Sequence, residues 1–183
     1  MKAPILVWVL AGAFLLLVAS LLIGSLSTPE FPPYPVTTPG APAADSLYTL
    51  DASRGDSWQR FDFARRAVVD SGPWDIAFRR NNVITAPSAG AIDLGPVSFD
   101  SVGDVPAEGY AKTTFEDGKW YAYSMFSHLL TSRHHVYAVR TAAGRFVKLE
   151  FLGYYCREVG AACYTMRYKT TRPRATGSPG ARE

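Results

Sequence analysis

The chain has few of the residues from which most active sites are built. Its 183 residues hold two cysteines and three histidines. It has no G-x-S-x-G elbow, no glycine-rich turn opening a helix, and no H-x-x-x-H or C-x-x-C spacing, so nucleophile, phosphate-loop and zinc signatures are all missing. No catalytic role is expected. The formal net charge is only +3, which gives no electrostatic reason to expect nucleic acid. Long stretches of 3.6-residue periodicity are also missing from the region beyond residue 24, while Val, Thr, Tyr and Phe are plentiful there, and that excludes a helical bundle. No cysteine follows the first apolar segment, so a lipid anchor at that point is excluded too.

What is present begins with that segment. Ala3 to Ile23 contains no charged residue and is closed by Gly24. It matches the ~20 residues that cross a bilayer, whereas the apolar region of a secretory signal is usually ~7 to 15 residues. The segment reads as a transmembrane helix in direct contact with the lipid bilayer. A cleaved signal is the alternative, since Ala19-Ser20 and Ser25-Leu26-Ser27 offer small residues to a peptidase. Lys2 precedes the run, and Glu30, Asp45 and Asp51 come before the first arginine at Arg54. The positive-inside bias then places the amino terminus in the cytoplasm and the rest in the periplasm, as for a single-pass bacterial inner-membrane protein.

Residues 25–44 carry prolines at 29, 32, 33, 35, 39 and 42. Proline fixes φ and removes the amide donor, so the expectation is an extended polyproline II tether that could span roughly 50 Å. It is either a passive spacer or a strip whose Phe31 and Tyr34 lie along a partner.

Residues 45–171 read as one all-β, mostly antiparallel sheet or sandwich domain. Leu47–Leu50 is a short strand. Trp58 to Val69 alternates up to a turn at Ser71-Gly72-Pro73, Trp74 to Arg80 alternates again, and Val83-Ile84-Thr85 continues the pattern. Residues 86–109 read as a long loop with one short strand at Val97 to Phe99. Glu116-Asp117-Gly118 is a hairpin-type turn leading into Trp120, Tyr121, Tyr123 and Phe126. Val136–Thr141, Arg145–Tyr155 and Tyr164–Thr171 form a meander in which Val147, Leu149 and Phe151 face the core while Lys148 and Glu150 face solvent. Cys156 and Cys163 bracket its second turn and are disulfide candidates on the oxidising side of the membrane. From Arg172 the tail is expected to be mobile unless a partner orders it.

His128, His134 and His135 are candidate haem or metal ligands, since neutral imidazole binds iron. If their segment is extended, His134 and His135 point to opposite faces and cannot share one metal. The alternative is that all three are ordinary surface residues. Arg65-Arg66, Arg79-Arg80, Arg167, Lys169, Arg172 and Arg174 either keep sheet edges soluble or form a docking patch, with Arg172 and Arg174 as partner-contact candidates.

Trp74-Asp75-Ile76-Ala77-Phe78-Arg79-Arg80, with Phe61-Asp62-Phe63 before it and Asn81 to Thr85 after it, resembles the central signature of the HmuY-like family. Tyr137 to Cys156 resembles that family's carboxy-terminal hairpin, and Cys163 to Tyr168 its last strand. The resemblance spans about residues 46–171 and implies an antiparallel all-β fold and, in the best-known members, haem held between two histidines. The whole architecture also resembles small periplasmic accessory subunits of bacterial photosynthetic reaction-centre and light-harvesting complexes. The leading expectation is therefore a subunit that docks in a membrane complex without a cofactor, with a haem-binding or other small-ligand module as the alternative.

Overall fold

The computed structural model describes residues 3–38, 46–116 and 119–174. It falls into two compact units, one of residues 1–30 with 123–130 and one of residues 31–122 with 131–183.

In the smaller unit α1 spans Ala3–Ser25. Of this helix, Pro4–Ser25 has a mean hydropathy of 2.8 and nothing buried, so it is long and apolar enough to be a membrane span or a signal. Its apolar residues occupy every face rather than one stripe, which suits a helix surrounded by lipid and not one laid on a core. At its end the Ser25 hydroxyl donates to the Leu22 carbonyl at 2.7 Å, which satisfies an acceptor that the last turn leaves open. Met1 and Lys2, the residues that carry the expected topology signal, lie outside the described residues.

The larger unit is an all-β sandwich. Its first sheet contains β1 (Leu47–Asp51), β6 (Gly90–Asp93), β9 (Val136–Arg140), β10 (Phe146–Cys156) and β11 (Gly160–Thr171) in the order β1-β11-β10-β9-β6. Every neighbouring pair in this sheet is antiparallel. The second sheet, also antiparallel, orders β2 (Gln59–Asp62), β3 (Ala67–Val69), β4 (Ile76–Arg79) and β5 (Asn82–Thr85) as β3-β2-β4-β5. Aromatic rings fill the space between the sheets. Phe61 meets Tyr48 at 4.8 Å, Phe78 meets Tyr164 at 4.8 Å, and Phe151 stands 6.2 Å from Phe78. These tilted and edge-on contacts add to what burial of the rings contributes.

The meander β9-β10-β11 follows the expected order, and Cys156 and Cys163 are joined across its second turn with Cα atoms 5.6 Å apart. Closing so short a loop contributes about 2.5 kcal/mol in the chain-entropy model.

Several expectations need correction. Trp58–Val69 is not one alternating run, because β2 and β3 are separated by a tight turn. Asp62 Oδ1 accepts from the Ala64 and Arg65 amides at 2.7 and 3.2 Å, and Arg66 takes a positive φ of 56°. An aspartate that binds the amides just after it competes with strand extension. Within 86–109 the strand is Gly90–Asp93, not Val97 to Phe99, and Phe99–Ser101 is a turn of 3-10 helix. The Asp117-Gly118 part of the expected hairpin lies outside the described residues.

The proline segment is also not a free spacer over its described part. Pro32 rests on Gly153, where an added Cβ would collide with its ring. The Thr37 amide donates to the Thr49 carbonyl at 2.8 Å, and the Thr49 amide donates to the Thr37 hydroxyl at 3.2 Å. Thr37 thus covers the outer side of β1 at Thr49, while residues 39–45 of the expected tether lie outside the described residues. At the other end of the sheet Ala91 and Ala111 exchange backbone hydrogen bonds of 2.8 and 2.9 Å. The tail is ordered through Arg174, since Val105 donates to the Arg172 carbonyl at 2.9 Å and accepts from the Arg174 amide at 2.7 Å. Residues 175–183 lie outside the described residues.

Candidate functional site

The strand β10 carries the largest departure from the sequence reading. Lys148 and Glu150 do not face solvent, for both are buried. Lys148 Nζ donates to the carbonyls of Phe99 and Val102 at 2.6 and 2.7 Å and lies 4.5 Å from the centre of the Phe99 ring. Burial, with Lys169 nearby, pushes its ammonium below the ordinary value. Glu150 binds Arg167 on β11 at 2.7 Å, and the Arg167 guanidinium lies 4.2 Å from the centre of the same phenyl ring. The 3-10 turn at Phe99 therefore lids the second face of the sheet, and the buried charges survive because each has a partner. A pattern of charges at alternate positions reads as a wet face, and nothing local in the sequence marks the covering turn.

His134 stands at this cluster. Its Nδ1 is 3.6 Å from Glu150 Oε1, an ion-pair separation, and just over half of its side chain is exposed. His135 instead turns Nδ1 to Asp93 at 2.9 Å, with its side chain 21% exposed. Glu150 pairs with Val136 on one side of β9, and Asp93 pairs with Tyr137 on the other. The two imidazoles are thus tied to opposite neighbours of one strand. His128 belongs to the smaller unit, where its Nδ1 faces the Tyr123 hydroxyl. Within the larger unit His134 and His135 are held apart by different carboxylates, and among the described residues no group of three or more His, Cys, Asp and Glu could hold a metal ion.

Two of the cavities on the larger unit are lined by no histidine. One of about 670 Å³ has Tyr48, Asp51, Arg54, Trp58 and Arg60 in its walls, and one of about 480 Å³ has Asp100, Lys148, Lys169 and Arg172. The first lies beside residues 36–37 of the proline segment, a wall invisible in the sequence. Of the partner-contact candidates, Phe31 lies under the Arg157 guanidinium at 5.7 Å, while Tyr34 is more than one-third exposed. Arg172 and Arg174 take part in the backbone bridge to Val105. Arg79 packs 4.5 Å over the Trp58 ring and Arg65 pairs with Asp62 at 3.5 Å, so part of the basic surface is spent within the domain.

The chemistry of the donor set fits haem in one respect. A carboxylate beside Nδ1 orients an imidazole, and among the described residues the His134 and His135 rings make their carboxylate contacts through Nδ1. His134 and His135 do not face each other across a slot, since they are tied to opposite neighbours of β9.

No family model matches the chain, and no curated protein matches it. Solved structures do. A Bacteroides vulgatus protein described as HmuY-like and heme-binding is 17% identical, with a TM-score of 0.55, over 67% of this chain and 89% of its own. The apo HmuY analog of Tannerella forsythia is 13% identical with a TM-score of 0.57, covering 72% and 97%. Apo PinO from Porphyromonas gingivitis is 16% identical with a TM-score of 0.55, covering 70% and 97%. At such low identity the likeness establishes the fold alone: the larger unit has the all-β fold of these HmuY-like proteins.

Proposed function

We propose that this chain is a non-catalytic binding module, held at the periplasmic face of a membrane by α1, that takes haem through His134. The observation that carries the reading is the half-exposed imidazole of His134, with Nδ1 turned to the Glu150–Arg167 pair, in a domain whose structural neighbours include a protein described as heme-binding. Imidazole nitrogen is a common axial ligand of haem iron. His134 would supply that nitrogen, Glu150 would orient the ring, and Arg167 would hold Glu150 in place.

Titrating haem into the full chain in detergent should give a saturable Soret shift. His134→Ala should abolish it, Glu150→Gln should weaken binding by about 10- to 100-fold, and His128→Ala and His135→Ala should leave it unchanged. No shift in the parent protein would refute the reading.

A second reading is an accessory subunit docked in a membrane complex, and the uncovered surface of α1 favours it. None of the structures matched above is described as photosynthetic, so the assignment to a photosynthetic complex has no support. If the subunit reading holds, the chain extracted from native membranes in mild detergent should migrate in a larger assembly. Migration as a free 20.0 kDa species would sink it.

A further inference from the structure

Within the smaller unit α1 is accompanied by the tip of a β-ribbon. The ribbon's strands are β7 (Tyr121–Tyr123) and β8 (Leu130–Ser132). The contact is close, since a Cβ on Gly24 would lie 2.7 Å from Phe126 Cβ and 3.0 Å from the Phe126 carbonyl oxygen. Glycine lets the two backbones abut with no side chain between them. The tip is also apolar on its outside, with Tyr123 49%, Met125 71% and Phe126 53% exposed. No Asp, Glu, Lys or Arg occurs from Tyr121 through Ser132.

Such a tip is poorly suited to water and well suited to the boundary between headgroups and acyl chains. Part of its polar backbone is paired within the tip: the Ser124 amide donates to the Leu129 carbonyl at 3.0 Å, and the His128 amide to the Ser124 carbonyl at 2.9 Å. The Ser127 amide donates to the Ser124 hydroxyl at 3.2 Å. Each internal pair lowers the cost of bringing an irregular segment into the partly hydrated headgroup layer. The Tyr123 ring carries its hydroxyl to His128, which gives it one apolar and one polar end, as interfacial tyrosines have.

We infer that residues Tyr123–Leu130 are a second membrane contact, immersed in the lipid interface beside the carboxyl end of α1. The occupant of this surface is lipid, because the patch is continuous with a helix that is apolar on every face. The inference rests on α1 being a retained anchor, and the test separates the two.

The full chain, with Cys156 and Cys163 left bonded, is given one further cysteine carrying an environment-sensitive fluorophore and placed in phosphatidylcholine–phosphatidylglycerol nanodiscs. The label sites are Met125→Cys, Phe126→Cys, Leu15→Cys within the helix, and the exposed Asp56→Cys as a control in water. Labels at Met125 and Phe126 should show blue-shifted emission and be quenched most by lipid with a nitroxide near the headgroup. The Leu15 label should be quenched most by a nitroxide near the bilayer centre, and the Asp56 label by neither. Quenching at Leu15 without quenching at either tip position overturns the inference and leaves the anchor standing, as it would if a protein partner covered the tip instead. Quenching at neither Leu15 nor the tip overturns both.

Discussion

Replacing Trp120 by alanine is expected to cost about 3–5 kcal/mol, a large share of the roughly 5–15 kcal/mol that holds a domain together. Trp120 is fully buried, and its ring lies 5.1 to 5.5 Å from those of Tyr164, Phe151 and Tyr154. Its indole N–H donates to the Asn81 carbonyl at 3.2 Å, in the turn between β4 and β5. The side chain therefore joins both sheets through packing and one polar contact. Urea unfolding followed by near-ultraviolet circular dichroism measures the loss. Trp120→Phe should retain most of the packing and lose the hydrogen bond, giving a visibly smaller drop. Equal losses in the two variants would mean that the polar contact, not the ring volume, dominates.

Asp75 is the second site where one substitution should matter greatly. Its carboxylate accepts from the Phe63 amide at 2.9 Å and from the Ala142 amide at 2.8 Å, which links the β2–β3 turn to the β9–β10 turn across the sandwich. Asp75→Ala leaves two donors without their partner and should cost about 2–4 kcal/mol. The pH dependence has a definite sign. Burial pushes the Asp75 carboxyl above its ordinary value of 3.8, although the two amides work against that rise. The folded state thus binds the proton more readily than the unfolded chain does. The stability gap between the parent and Asp75→Ala should widen as pH falls through the raised value, and level off below 3.8. A gap that narrows on acidification would show that the hydrogen bonds to the charged form outweigh burial.

The parts of the fold that were legible are those where local chemistry and burial agree. The meander β9-β10-β11 could be read because Val147, Leu149 and Phe151 alternate between clear turns, and α1 because nothing charged interrupts it. Gly90–Asp93 was missed because Gly-Ala-Ile-Asp has small residues and no alternation, and its pairing with β9 comes from far along the chain. Lys148 and Glu150 were misread for the opposite reason. Their alternation was correct, but the partners that permit burial, Phe99 and Arg167, lie on other elements. The histidines were found as residue types, whereas their separation onto opposite sides of β9 depends on strand order. The cavity beside Trp58 had no signal at all, since one of its walls is the proline segment folded back on the domain.

That folded-back segment has a consequence for how the protein behaves at high density. A sheet normally ends in a row of unpaired amides and carbonyls that invites another chain to add a strand. Here Thr37 occupies the outside of β1 at Thr49, and Ala111 occupies the outside of β6 at Ala91, so each border of the large sheet is already engaged by its own chain. Copies crowded together would meet with both borders partly closed, which protects them against edge-to-edge aggregation.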